Sequence, residues 1–208
     1  WAVHMGFRGK QVIIPNAVDT KKFMVELSAE RRRELREELS LNENDVALVT
    51  TSRLVHKNAV DDVIKAMALL PAEVKFIVFG VGPDEDKLKS LIADLKLGDR
   101  VQLRGQIGHD VMPSYLKASD IFIRPSRSEG MGNSFVEAMA AELPVIATQE
   151  GGIADFLFDR HLNPDKETTG FAVRKDNPED IATAVREIMA NPEFVADVVA
   201  TAKAMAVR

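Results

Sequence analysis

Residues 124–155 read RPSRSEGMGNSFVEAMAAELPVIATQEGGIAD, in the order of a strand end, a glycine-punctuated loop, a helix, a second strand and a Gly-Gly turn. Gly130 and Gly132 allow backbone N–H groups to approach a ligand, and the loop leads into the helix, an arrangement typical of phosphate binding. The same stretch carries two carboxylates, Glu129 and Glu137. Because carboxylates repel phosphate but accept hydrogen bonds from hydroxyls, the pattern favours a diphosphate with a sugar on either side.

The sequence on both sides of this stretch continues the alternation of strand and helix. Apolar runs of strand length recur at residues 12–14, 46–50, 74–79, 101–103, 121–123 and 145–147. Apolar residues with helical spacing lie between several of these runs, at residues 59–70 and 84–95. Since the strands are continuously apolar, the sequence predicts a parallel sheet covered on both faces. The predicted fold is therefore α/β, a doubly wound, Rossmann-like sheet.

Three further helices are predicted outside this core. Asn177 is a good N-cap before Pro178 and predicts a helix that ends near Ala190. A final helix is expected after Pro192. Residues 28–39 are highly charged, with the spacing of intrahelical ion pairs, which favours a helix with a solvated face.

Composition limits the classes of protein that the chain can represent. It has 208 residues and is 46% hydrophobic, so we expect one large domain or two small ones with a sizeable core. The absence of cysteine excludes disulfides and thiolate metal sites and suits a reducing cytoplasm. No apolar run approaches a membrane span, and no signal peptide is apparent. The net charge of -5 argues against a nucleic-acid surface, so an anionic ligand must be held by a few cations and helix ends.

Five segments, in order, resemble the C-terminal half of retaining glycosyltransferases with the GT-B architecture, in the large family usually numbered four and called glycosyl transferases group 1. They are IPNAVDTKKF (14–23), TSRLVHKNAVDDVIKAMALLP (51–71), SDIFIRPSRSEGMGNSFVEAMA (119–140), PVIATQEGG (144–152) and TGFAV (169–173). The resemblance implies a nucleotide-sugar-binding domain over residues 1–208. Within it, residues 1–10 would be the remnant of a linker from an N-terminal acceptor domain, and about 191–208 the start of a truncated C-terminal helix.

The resemblance implies roles for residues after the predicted strands, at the edge of the sheet where such folds bind ligands. Glu137 would hold both ribose hydroxyls of the nucleotide, and Glu129 would face the transferred sugar. The amides of residues 131–133 would lie near the sugar and distal phosphate, and the backbone of residues 106–107 near the nucleobase. The predicted catalytic residues are Arg53, Lys57 and Glu129, and the predicted donor-binding residues are Met131, Gly132, Asn133, Glu137, Gln106, Ile107 and Gly80.

Some of these residues also have structural interpretations. Ser134 and Glu137 have the spacing of a capping box, in which the acid bonds the N–H of the cap residue. For Glu129, no cap or ion pair is apparent. Much of the family has the spacing Arg-x4-Lys, whereas here Asn58 stands in the usual lysine position and Lys57 precedes it. A long lysine side chain can absorb that shift of one residue, so Lys57 is kept as the second cation that neutralises the departing diphosphate.

Other motifs point to functions that the sequence disfavours. Asp84-Glu85-Asp86 spells the D-x-D of metal-dependent glycosyltransferases, but it opens a helix, and acids are favoured in a first turn. Gly80-Val-Gly82 begins a dinucleotide fingerprint whose third glycine is absent. A retaining glycosidase needs two carboxyls about 5 Å apart, whereas here loop amides lie between the acids. His109 is interpreted as a solvated loop residue, and Asn16 and Asp19 as parts of a structural turn.

The sequence therefore predicts the donor-binding half of a retaining, metal-independent hexosyltransferase that uses a nucleoside diphosphate sugar and no cofactor. The isolated domain would be inactive, because the acceptor belongs to an N-terminal domain of the same protein. The expected partners are the sugar nucleotide and that domain, without nucleic acid, and with membrane contact only through the N-terminal half. The expected compartment is the cytoplasm. Two alternatives stay open: a module that binds sugar nucleotides without transfer, and a GT-B phosphorylase or epimerase.

Overall fold

The computed structural model describes Gly6, Arg8, Gly9 and residues 18–207. Its centre is a six-stranded parallel sheet with the strand order β3-β2-β1-β4-β5-β6. The strands are β1 (Val46–Thr51), β2 (Val74–Phe79), β3 (Val101–Leu103), β4 (Ile121–Arg124), β5 (Val145–Ala147) and β6 (Phe171–Ala172). The predicted α/β, doubly wound, Rossmann-like fold is confirmed. The strand predicted at residues 12–14 lies outside the described residues, as does Asn16.

Seven α-helices flank the sheet in the described part of the chain. They are α1 (Ala29–Glu38), α2 (Val60–Met67), α3 (Glu85–Asp94), α4 (Met112–Ala118), α5 (Asn133–Ala140), α6 (Pro178–Ala190) and α7 (Pro192–Ala206). Short 3-10 turns occupy Thr20–Lys22, His56–Asn58 and Gly151–Asp155. None of the described helices is both long and apolar enough to cross a lipid bilayer.

The central strands are buried on both faces because their side chains alternate between two apolar layers. Leu48 of β1 and Phe76 of β2 belong to a layer that includes residues of α2, α3 and α6. Val49 and Ile77 belong to the opposite layer, which includes residues of α4 and α5. This double burial explains why the strands read as continuous apolar runs in the sequence.

Two short elements were missed by the sequence analysis. Helix α4 has seven residues and strand β6 has two, so neither is long enough to show a hydrophobic period. The predicted start of α6 is confirmed, because the side chain of Asn177 accepts a hydrogen bond from the N–H of Asp180 at 2.8 Å. The start predicted for the last helix is also confirmed, since α7 begins at Pro192.

The solvated face predicted for α1 is confirmed, since its intrahelical ion pairs are exposed, but another face of the helix carries a buried arginine that was not predicted. Arg36 is only 7% exposed. Its guanidinium donates to Asp120 at 3.0 Å and to the carbonyl oxygens of Ala118 and Asp45. Asp120 also accepts from Arg32 and from the backbone N–H of Ala47, at 2.8 Å each. These bonds fasten α1 to the amino ends of β1 and β4.

Neutralising Asp120 should destabilise the fold, because it leaves the buried Arg36 without its carboxylate. We expect Asp120→Asn to lower the free energy of unfolding by about 2 kcal/mol. The matched control is Glu34→Gln on the same helix, which breaks an ion pair with Arg31 whose side chains are about half exposed and should cost less than about 0.5 kcal/mol. Urea unfolding at pH 7 measures both, and equal losses would contradict the assignment.

Candidate functional site

A cleft of about 800 Å³ lies beyond the carboxyl ends of the central strands. The strand order changes direction between β1 and β4, the position at which sheets of this kind bind ligands. All ten predicted site residues line this cleft: Arg53, Lys57, Gly80, Gln106, Ile107, Glu129, Met131, Gly132, Asn133 and Glu137. Its other lining residues include Arg124, His109, Thr51, Ser52 and Ser134. The structure thus brings the predicted residues together, whereas their individual roles stay predictions.

Arg53 and Lys57 are both exposed on the loop between β1 and α2. Asn58, which stands in the usual lysine position of the family, is 5% exposed and faces inward. Its Nδ2 donates to the carbonyl oxygen of Arg53 at 2.7 Å and so closes the loop. Lys57, one residue earlier, is exposed by this turn, which supports its choice as the second cation.

Arg127, on the loop after β4, supports the loop between β1 and α2 and was not predicted from the sequence. Its backbone N–H donates to the carbonyl oxygen of Lys57 at 2.7 Å. Its side chain is 12% exposed and bonds to the carboxylates of Asp61, Asp62 and Asp176 at 2.5 to 2.8 Å. Burial alone would raise the pKa of Asp61, but the hydrogen bonds and charges of Arg127 and a nearby lysine outweigh it and lower that pKa. The loops after β1, β4 and β6 are therefore joined by one ion-pair network.

Glu129 has an ion-pair partner, contrary to the sequence analysis, which found none. Arg124, the last residue of β4, donates from Nη2 to Glu129 Oε2 at 2.6 Å, and the two side chains are only 9% and 11% exposed. Glu129 Oε1 accepts from the N–H of Gly130 at 3.0 Å. The guanidinium lies 4.4 Å from the ring centre of Phe135. The sequence did contain a signal that could have revealed this pair, namely a charged residue at the end of an otherwise apolar strand, five residues before an acid.

The Gly-Gly turn after β5 supports the loop that carries Glu129. A side-chain carbon on Gly151 would lie 1.9 Å from the carbonyl oxygen of Glu129, and one on Gly152 would lie 2.8 Å from that of Gly130. The N–H of Gly152 also donates to the same oxygen of Gly130 at 2.8 Å. Gly151 has a positive φ of 58°. Only glycines allow the two backbones to approach this closely.

The capping box considered as a structural alternative for Ser134 and Glu137 is not formed. Helix α5 begins at Asn133, and its N-cap is Gly132, which has a positive φ of 70° and no side chain to cap with. Ser134 therefore lies inside the first turn, and its Oγ is buried with no hydrogen-bond partner among the described residues. Glu137 sits five positions into the helix, too far along to reach the cap residue in the manner of a capping box.

Glu137 is instead a buried carboxylate at the cleft. It is 9% exposed, and burial raises its pKa, although the charges of His109 and Arg124 oppose that effect. His109 itself is exposed, as predicted, but it lines this cleft and also a neighbouring one of about 620 Å³ beside α4. Within the described ranges, no side chain forms a hydrogen bond or ion pair with the Glu137 carboxylate, so this buried acid is available to a ligand that offers hydroxyl groups.

The two disfavoured motifs have structural explanations. Asp84 is the N-cap of α3, and Glu85 forms an ion pair with Lys89 at 2.7 Å, so the D-x-D acids lie in a helix start outside the cleft. A side-chain carbon on Gly80 would lie 1.8 Å from the carbonyl oxygen of Ser52, which requires glycine there for backbone packing. Gly80 thus has a reason to be glycine even without a ligand.

Most of the sequence is similar to known glycosyltransferases. The sequence profile described as glycosyl transferases group 1 matches residues 31–205. The chain is 30% identical over 167 residues to alpha-D-kanosaminyltransferase of Streptomyces kanamyceticus, covering 79% of this chain and 41% of that protein. It is 31% identical over 186 residues to a GDP-mannose-dependent alpha-(1-6)-phosphatidylinositol monomannoside mannosyltransferase of Mycobacterium tuberculosis, covering 85% and 46%.

A solved structure gives a further comparison. The fold is similar to that of Anabaena HepE in complex with UDP and glucose, with a TM-score of 0.86 and 25% sequence identity. The match covers 98% of this chain and 54% of HepE. The chain spans about half the length of each of these three proteins.

Replacing Glu137 by Gln should not destabilise the fold. The folded state raises the pKa of Glu137, so it holds the proton of this acid more tightly than the unfolded chain does. The stability of the folded protein therefore falls as the pH rises from the ordinary value of 4.5 through the raised pKa. We therefore expect Glu137→Gln to raise the free energy of unfolding at pH 7, on the order of 1 kcal/mol, with the gain shrinking toward pH 4.5.

Glu142→Gln is the control of opposite sign. A hydrogen bond from Lys203 lowers the pKa of Glu142, so its contribution to stability is present at pH 7 and is lost as the pH falls through that lowered value. We expect this control to lose less than about 1 kcal/mol at pH 7. Urea unfolding from pH 4 to 8 measures both variants, and a large loss of stability in Glu137→Gln at pH 7 would restore a structural role for Glu137.

Proposed function

This chain belongs to the glycosyl transferases group 1 family, and from that premise we propose that it is the donor-binding half of a retaining hexosyltransferase. The donor would be a nucleoside diphosphate sugar, and the acceptor would bind to a second, N-terminal domain. One observation carries the proposal. Two acids, two exposed cations and the start of α5 line a single cleft at the point where the strand order changes direction.

Each part of the donor has a matching part of the cleft. Glu137, buried and without a capping role, would accept hydrogen bonds from the ribose hydroxyls. The start of α5 attracts anions through its unpaired N–H groups and its dipole, and would hold the diphosphate together with Arg53 and Lys57. Glu129 would face the sugar, with the amides of residues 131–133 beside it. The backbone of residues 106–107, after β3, would lie along the nucleobase.

Catalysis would rest on the leaving group. As the bond from the sugar to the diphosphate breaks, negative charge grows on the departing phosphate, and groups already aimed at that charge lower the barrier. Glu129, the acid proposed to face the sugar, accepts hydrogen bonds from Arg124 and Gly130. A carboxylate held in this way is better suited to accept hydrogen bonds from sugar hydroxyls than to act as a nucleophile. The acceptor would therefore attack from the face that the diphosphate leaves, with retention of configuration and without a metal ion or other cofactor.

The relatives support a hexose donor without fixing its identity. A mannosyltransferase that depends on GDP-mannose and a structure with UDP and glucose are both similar to this chain. We propose the cytoplasm as the compartment for two reasons. Sugar nucleotides are anions that do not cross membranes unaided, and the chain lacks cysteine, which suits a reducing compartment. The isolated 208-residue chain would bind the donor but transfer no sugar.

Donor binding is tested by titrating the 208-residue chain with UDP, GDP and ADP in buffer that contains EDTA. We expect at least one of them to bind with a Kd below about 1 mM. Glu137→Gln should weaken that binding about tenfold, because a charged hydrogen-bond acceptor for the ribose is lost. Isothermal titration calorimetry measures the affinities. Absence of binding by all three would contradict the donor site, and binding that requires Mn²⁺ would contradict the metal-independent mechanism.

The roles of the two cations are tested in an enzyme that contains both halves. Arg53 should contribute more than Lys57, since its forked guanidinium can hold two phosphate oxygens at once. We expect Arg53→Ala to lower kcat about 100-fold but to weaken donor binding by only about tenfold, because leaving-group charge grows toward the transition state. Arg33→Ala, an exposed arginine of α1, is the control and should change neither. A loss confined to donor affinity would contradict transition-state stabilisation by Arg53.

A further inference from the structure

Arg124 is a buried cation on the floor of the cleft, at the end of a strand that is otherwise apolar. It is 8% exposed and lines the cleft. Nη2 donates to Glu129 at 2.6 Å, and Nη1 donates to the carbonyl oxygen of Thr51 at 3.3 Å. Its Nε is buried with no hydrogen-bond partner among the described residues. The bonds of this guanidinium therefore join the end of β1 to the acid of the loop after β4.

Packing alone does not explain an arginine at this position. The three preceding residues of β4 are apolar and fully buried, so an aliphatic side chain would continue the strand without removing a charge from water. Burial lowers the pKa of Arg124, and the carboxylate of Glu129 opposes that effect. Burying a charge here therefore costs stability, and a functional role for the Arg124–Glu129 pair would explain why that cost is tolerated.

That use is visible in the geometry of Glu129. Oε2 is held by Arg124 and Oε1 by the N–H of Gly130, while the carbonyl oxygen of Glu129 packs against Gly151. Both the side chain and the backbone of this acid are therefore fixed on a loop that is rich in glycine. Oε2 also accepts a long hydrogen bond from Ser126 Oγ at 3.5 Å, whereas Oε1 keeps a second acceptor position, so the acid can still bind a sugar hydroxyl.

We propose that Arg124 is a positioning residue for the sugar of the donor. It holds the Glu129 carboxylate in one orientation, so that the acid is ordered before the sugar arrives and binding loses less side-chain entropy. The Arg124–Glu129 pair then acts on the sugar and not on the nucleotide. This inference rests on the proposed donor-binding function.

The experiment compares sugar nucleotide with bare nucleotide in the 208-residue chain. The ratio of the Kd for UDP-glucose to the Kd for UDP reports the contribution of the sugar. The same ratio is measured for GDP-mannose and GDP and for ADP-glucose and ADP. We expect Arg124→Met and Glu129→Gln each to raise the ratio about tenfold for the donor that binds, with the Kd of the nucleotide changed less than threefold. The double variant should be no worse than either single one, because both substitutions break the same interaction.

Two further variants separate positioning from structure. Arg124→Lys keeps a cation, so its Kd ratio should lie between those of the wild type and Arg124→Met. If Arg124→Met does not fold, Arg124→Lys replaces it in the comparison with Glu129→Gln. Arg36→Met, which removes a buried arginine at the other end of the sheet, should lower the melting temperature and leave the ratio unchanged.

Three results would overturn the inference. One is an equal loss of affinity for nucleotide and sugar nucleotide in Arg124→Met. Another is a double variant whose ratio is the product of the two single effects. The third is a wild-type chain that binds none of the six ligands, which would overturn the donor-binding function as well and is recognised by the failure of the unsubstituted protein.

Discussion

Backbone-to-backbone contact at the carboxyl edge of the sheet is the constraint on which the cleft depends. The loop after β2 touches the loop after β1 where Gly80 meets Ser52, and the turn after β5 touches the loop after β4 where Gly151 meets Glu129. A side-chain carbon at either glycine would overlap a carbonyl oxygen, so other residues are excluded there. These contacts bring separate loops into one wall and give the edge of the sheet its concave shape.

In the cleft and beside it, buried cations are paired and exposed cations are left for a ligand. The largely buried arginines, Arg124 and Arg127, are paired with carboxylates, because a buried cation without a partner is unstable. Arg53 and Lys57 are exposed where an anionic ligand can reach them. A chain with a net charge of -5 thus presents local positive charge at the cleft. Glu137 is the exception, a buried acid whose environment within the chain does not favour its charge.

Local patterns in the sequence were sufficient for five of the six strands, although β6 was missed. The membership of the cleft was predicted from the family resemblance together with the position of its residues after strand ends. Continuous apolar runs located the strands, and residues that follow strand ends in a parallel sheet must meet at one edge. The pairings Arg124–Glu129 and Arg127–Asp61 were missed, since they depend on how loops cross in space. The capping box failed for a related reason. The left-handed backbone of Gly132 starts α5 earlier than the residue types alone suggest.

The network around Arg127 has a consequence for motion. It joins the loops after β1, β4 and β6, and the Gly-Gly turn adds the loop after β5, so these segments have little freedom to move apart. A ligand held between them would be carried as part of a rigid body. Opening and closing around that ligand would then require the whole unit to swing against whatever it faces, and the timing of release would be set by that swing and not by loop flexibility within the unit.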